Sequence, residues 1–255
     1  MSSIRNVAAF AVLEARRTRL PLIVVGIGVL ALAASVFVRS LAITESVRVQ
    51  TGFLAAMLRM IAMFLLCLHV PGSMLREAHD KGTELLLSVD ISRFEYLAGK
   101  AFGYSLVATG VCVALAVPVM LVAPPVSALA WTISLVLESW IIVAASLFCV
   151  ITFNQLILAA SIVFAFYLLA RAMSAIVLVA GADMLQDGSV THAAMTLVVK
   201  LVALALPPLD AFTQTAWLVD AASGWDRLPM LAAQTGLYVV LLLAAACVDL
   251  YRRNG

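Results

Sequence analysis

"SALAWTISLVLESWIIVAASLFCV", residues 127–150, is 24 residues long and carries a single charge, Glu138. A helix needs roughly 20 apolar residues to cross the hydrocarbon core of a bilayer. The stretch therefore reads as a membrane-spanning helix with one carboxylate inside it. Runs at 20–38, 53–75, 101–123, 156–180 and 229–250 meet the same criterion, which makes six spans. The composition agrees: 64% of the chain is hydrophobic and 12% charged, against about half and a quarter in a soluble domain. The fold class is all-α integral membrane protein, and 1–255 form a single domain.

The net charge of +2 gives no footing for a nucleic-acid partner. Cys67, Cys112, Cys149 and Cys247 all lie inside apolar runs. They read as small buried side chains, not as a disulfide framework or a metal set. The first run follows basic residues and contains an Ala-x-Ala at Ala31 and Ala33, as a cleaved leader would. Its length reads instead as a retained first span.

Two further segments are too short or too charged to cross. "IRNVAAFAVLEARRTR", with Arg16, Arg17 and Arg19, reads as an interfacial helix whose arginines reach lipid headgroups. "HAAMTLVVKLVALALPP" is interrupted by Lys200 and stopped by Pro207 and Pro208. It reads as an outer helix lying on, or dipping into, one membrane face.

Orientation follows from the basic residues near span ends. With the N-terminus inside, the cytoplasmic side holds Arg5, Arg16, Arg17, Arg19, Arg76, Lys81, Arg93, Lys100, Arg252 and Arg253. The other side holds Arg39, Arg48, Lys200 and Arg227. The ratio of ten to four places both termini in the cytoplasm.

That orientation makes "REAHDKGTELLLSVDISRFEYLAGK", residues 76–100, the main cytoplasmic loop. Gly82 breaks the preceding helix and Thr83 can cap a short helix over "ELLLS". Ser92 and Glu95 form the Ser-x-x-Glu pattern of a capping box, which launches the third span. An apolar patch rimmed by charge fits a protein contact. A turn resting on lipid headgroups fits equally well.

The loop resembles the one between spans two and three in type-2 ABC transporter permeases. The resemblance is carried by Gly82-Thr83-Glu84, Leu85-Leu86-Leu87, Ile91-Ser92-Arg93 and Gly99-Lys100. The motif covers about twenty residues, and the layout covers nearly the whole chain. The resemblance implies a coupling helix that docks in a groove of a separate ABC ATPase subunit. Its contact residues would be Glu77, Gly82, Thr83, Glu84, Leu85, Leu86, Leu87, Asp90, Ser92 and Arg93. It also implies a second permease subunit, identical or related, in a plasma membrane such as a bacterial inner membrane. Asp90 stands where the family usually has proline, and Glu77 lies one position off the usual acidic register.

No Gly-x4-Gly-Lys-Ser/Thr occurs, so ATP and its Mg belong to the partner ATPase, and no cofactor is expected on this chain. The chain itself is then no enzyme. Asp183, Asp187, Ser189 and His192 could be written as a hydrolase triad or a metal site, but they sit on one Gly-containing turn with no oxyanion element and read as a polar loop. Met57, Met60, Met63, Cys67 and His69 offer soft ligands suited to Cu(I). Methionine is also a common gap-filler, and His69 lies on a face rotated away.

Arg59, Glu138 and Arg171 lie inside spans at a shared range of depth. Such charges either pair with one another or face a substrate. The expectation is that Glu138 pairs with Arg171, Arg59 or both. The functional expectation is the permease subunit of an ATP-driven exporter. A proton-coupled secondary transporter and an intramembrane enzyme are the alternatives. The first would show internal repeats or interrupted spans. The second would need a nucleophile and base at one depth.

Overall fold

The computed structural model describes residues 2–41, 45–79, 92–183, 190–219 and 224–252. Their order is α1 (Ser2–Arg17), α2 (Leu20–Leu41), α3 (Ser46–His79), α4 (Arg93–Val122), α5 (Pro125–Phe153), α6 (Leu156–Asp183), α7 (Val190–Ala205), α8 (Ala216–Val219) and α9 (Leu228–Arg252). Short 3-10 turns occupy Leu209–Ala211 and Trp225–Arg227. No strand occurs among the described residues.

α2, α3, α4, α5, α6 and α9 are each long and apolar enough to cross a membrane. These are the six expected runs, and the chain is a multi-pass membrane protein. Several helices outgrow their runs. At 1.5 Å per residue, the 34 residues of α3 make about 51 Å, well beyond a hydrocarbon core of about 30 Å. α4 begins ahead of its run because the capping box forms. Ser92 is extended and its hydroxyl accepts from the Glu95 N–H, while the Glu95 carboxylate accepts from the Ser92 N–H.

The turns explain the tight antiparallel neighbours. Pro124 and Pro125 make the corner between α4 and α5. Asn154, left-handed at φ 52°, closes α5 and lets α6 start at Leu156. Asparagine tolerates that backbone region better than most residues. The register is visible in the side-chain contacts. Trp140 of α5 donates to Thr109 of α4 (3.1 Å), and Gln50 of α3 donates to Ser35 of α2 (3.4 Å). Phe64 of α3 meets Phe164 of α6 edge to face.

α5 is the axis. Its apolar window is 72% buried, against 17% for α9. α9 packs on α5 but leaves Leu237, Val240 and Leu241 exposed. Such apolar exposure is expected where lipid is the solvent.

α1 lies along the first half of α4, and the two advance in the same direction. Val7 sits over Gly99, and Ala8 and Ala11 sit over Gly103. This is a small-residue crossing of the Gly-x3-Gly type, which lets two backbones approach closely. In the sequence the two glycines fall on either side of the boundary between the 76–100 stretch and the third apolar run.

α7 stops at Ala205 ahead of Pro207 and Pro208, as expected. The chain then bends by 64° into Leu209–Val219. The Leu206 carbonyl accepts from Tyr238 of α9 at 3.0 Å, so the bend reaches the interior of that helix.

A Cβ at Gly103 would lie 2.9 Å from the Ala8 Cα, an atom of backbone that cannot rotate away. Gly103→Leu should therefore detach α1 and lower stability by about 1–3 kcal/mol. Gly110→Ala, with nothing within 4 Å of its Cβ, should be neutral or slightly stabilising. Unfolding in detergent, with trypsin cleavage after Arg16 and Arg17, checks both. An α1 that stays protected in Gly103→Leu would contradict the crossing.

Candidate functional site

Glu138 is fully buried near the middle of α5. An isolated carboxylate there costs far more than the fold can supply, so it must be paired and hydrogen-bonded. Arg171 of α6 donates to it at 3.2 Å. The expected pairing with Arg171 is present. The other expected partner, Arg59, takes a different acceptor.

What the cluster surrounds is Thr213. Its hydroxyl donates to the second Glu138 oxygen (2.6 Å) and accepts from Arg171 (3.2 Å). Its N–H donates to the Ser134 hydroxyl (2.9 Å), one turn above Glu138 on α5. Its carbonyl accepts from Arg59 of α3 (2.9 Å). Arg171 also donates to the Leu209 carbonyl at 2.8 Å. Every polar group of Thr213 is thus held by a side chain from a spanning helix.

That matters because Thr213 has φ 43°. A β-branched residue in the left-handed region is strained by about 1–3 kcal/mol and persists only where its surroundings over-determine it. Here they do. The three intramembrane charges act as a clamp that holds the bent segment against α3, α5 and α6. The Tyr167 hydroxyl donates to the Met60 Sδ at 3.7 Å beside the clamp, which gives one of the soft-ligand methionines an ordinary partner. Met63 and Cys67 are buried in the helix packing. No group of three or more His, Cys, Asp or Glu side chains is placed to hold a metal among the described residues.

A second buried ion pair lies at the opposite end of α3. Glu77 pairs with Lys100 of α4. Their side chains are 6% and 0% exposed. Phe10, Tyr96 and Tyr104 place their rings 5.6, 5.9 and 5.6 Å from the ammonium, within cation–π range. The Tyr104 hydroxyl donates to Ser73 of α3 at 3.1 Å. Glu77, expected among the ATPase contacts, points its carboxylate inward to a buried lysine. The cause is local: α3 runs on to His79, which carries Glu77 onto the face opposite α4.

Of the other expected contact residues, Ser92 caps α4 and Arg93 opens it. Gly82, Thr83, Glu84, Leu85, Leu86, Leu87 and Asp90 lie outside the described residues, and so does the turn holding Asp187 and Ser189. Thr213, Ser134 and the Glu77–Lys100 pair were not foreseen. Only Lys100 gave a signal, as a cation next to an aromatic-rich stretch. No protein-family model matches the chain, and no curated protein matches it.

Glu138→Ala would leave Arg171 and the Thr213 hydroxyl without their acceptor. Breaking a buried pair by removing one partner costs about 3–5 kcal/mol. Thr213→Val removes hydrogen bonds but no charge and should cost less, about 1–3 kcal/mol. Denaturant unfolding of the purified variants in detergent measures both. Wild-type stability in Glu138→Ala would show that the clamp does not hold the fold.

Proposed function

We propose that the chain is the membrane-spanning permease subunit of an ATP-driven transporter, of the type-2 ABC class, working as an exporter with a separate ATPase and a second permease subunit. The observation that carries the reading is the construction at the base of the 80–91 loop. α3 and α4 are tied together there by Glu77 and Lys100, α1 is pressed onto α4 at Gly99 and Gly103, and α4 is capped at Ser92. A loop on such stems can transmit force as a lever, whereas a loop on frayed helix ends would absorb it. The sequence motif supplies the docking surface, with Leu85, Leu86 and Leu87 as its apolar centre.

In this reading α1, packed along the first half of α4 and not flat on the interface as expected, braces the base of the loop, the 77–95 loop holds the coupling helix, and the bent segment from Leu197 to Val219 is a re-entrant element of the outer face. ATP-driven closure of the partner would push the loop and bias the bundle between inward- and outward-open states. Both termini and the loop face the cytoplasm, as the ten-to-four distribution of basic residues favours. The clamp is structural in this reading. It holds the re-entrant element and does not bind the cargo.

Leu86→Asp should weaken association with the ATPase by more than about 2 kcal/mol, because a central apolar cluster carries most of an interface's energy. Glu84→Ala at the charged rim should cost much less. Pull-down and ATP turnover with each stably inserted variant check this. Retention of the ATPase by Leu86→Asp would count against the loop as the coupling element. In a cysteine-free background, a cysteine at position 187 should react with an impermeant reagent from outside, and one at position 80 only from inside. The reverse pattern would overturn the orientation.

A further inference from the structure

α1 and α4 do not stay together along their whole length. At Gly99 and Gly103 the α1 backbone presses on the glycines, but at Gly110 a Cβ would meet nothing within 4 Å. The space that opens is a groove of about 300 Å³ between α1, α2 and α4. Its walls are apolar, with Val12 from α1, Leu20 and Val24 from α2, and Val107, Gly110 and Ala114 from α4. One charged residue, Arg16, stands at its edge. The groove starts at the α1–α2 turn and runs up the first turns of α2.

The turn is strongly basic. Arg16, Arg17 and Arg19 are all exposed, and none forms an ion pair among the described residues. Glu14, the nearest acid in sequence, faces Arg76 of α3 at 4.0 Å. Unpaired arginines where a span begins lie at headgroup level, where they attract anionic lipid. Arginines alone would suit any anion, and an apolar cleft alone would suit any acyl chain. With Arg16 at the edge of the apolar groove, the two features fit a molecule that has both parts.

We propose that this groove is a binding site for an anionic phospholipid of the leaflet at the α1–α2 turn, with an acyl chain between α2 and α4 and the phosphate on Arg16. A bound chain would fill the wedge that α1 leaves as it diverges from α4. The site stands apart from the transport reading and does not depend on it.

The test uses the full chain, purified and delipidated in detergent, titrated with phosphatidylglycerol and followed by native mass spectrometry and thermal shift. One tightly bound phosphatidylglycerol is expected, with phosphatidylcholine of the same chains weaker by roughly fivefold or more, the size of effect one surface arginine exerts on an anionic lipid. Arg16→Ala should lose a similar factor for phosphatidylglycerol alone. Gly110→Leu should fill the groove and abolish the tight class for both lipids. Ala114→Leu blocks the same groove and replaces Gly110→Leu if that variant lacks a cooperative transition. Soluble glycerol phosphate should not compete. Equal affinity for the two lipids would overturn the headgroup assignment. Undiminished binding in folded Gly110→Leu or Ala114→Leu, or competition by glycerol phosphate, would overturn the groove and leave only a basic surface.

Discussion

A carboxylate in the middle of a membrane-spanning bundle has no water to solvate it. Glu138 is such a group, and its need for partners organises the half of the molecule around it. It draws Arg171 of α6 from one side and the Thr213 hydroxyl from another. Thr213 in turn can keep its strained backbone because Ser134 and Arg59 take its N–H and carbonyl. The segment after α7 would otherwise bring unpaired peptide groups to the depth of the clamp. Irregular backbone at membrane depth is tolerated only where protein satisfies it. The charges are therefore what allows a bent, partly non-helical segment to sit among helices.

The Glu77–Lys100 pair repeats the logic at the other end, with aromatic rings in place of a threonine. Both locks use α3. Arg59 and Glu77 are 18 residues apart on one helix, roughly 27 Å at 1.5 Å per residue. α3 thus joins the base of the polar loop to the bent segment on the far face. A helix with two discrete attachments is the kind of element that can carry coupling between distant sites, and Pro71 between them is where this one can bend.

The parts of this architecture that were legible in the sequence are those set by local pattern. Apolar length announced six spans, Pro207 and Pro208 announced the end of α7, and Ser92 with Glu95 announced the start of α4. The pairing of Glu138 with Arg171 was also legible, because two lone opposite charges at one depth leave few alternatives. Thr213 was not. It is a neutral residue in an irregular stretch, and its importance comes from helices far away in sequence. The burial of Glu77 was not legible either, since it stands in a stretch dense with charge. A lysine packed under Phe10, Tyr96 and Tyr104 requires an acid beside it, and that requirement appears only once α1 is seen to cover α4. The drop in burial from 72% in α5 to 17% in α9 was likewise hidden, since the two runs are similarly apolar.

The clamp is not symmetric, and the asymmetry matters for movement. Two arginines face one carboxylate, and among the described residues Arg59 has no acidic partner within ion-pair distance. Arg171 holds Glu138 and the Leu209 carbonyl, while Arg59 holds the Thr213 carbonyl and leaves its buried Nε without an acceptor. Hydrogen bonds to charged groups are worth about 1.5–3 kcal/mol, whereas breaking a buried ion pair costs about 3–5 kcal/mol. A shift of α3 against α5 and α6 would break the weaker contact first. Glu138, Arg171 and Thr213 would stay assembled as a unit with the bent segment. The easiest motion available to the clamp is therefore a displacement of α3, the same helix that holds the base of the polar loop.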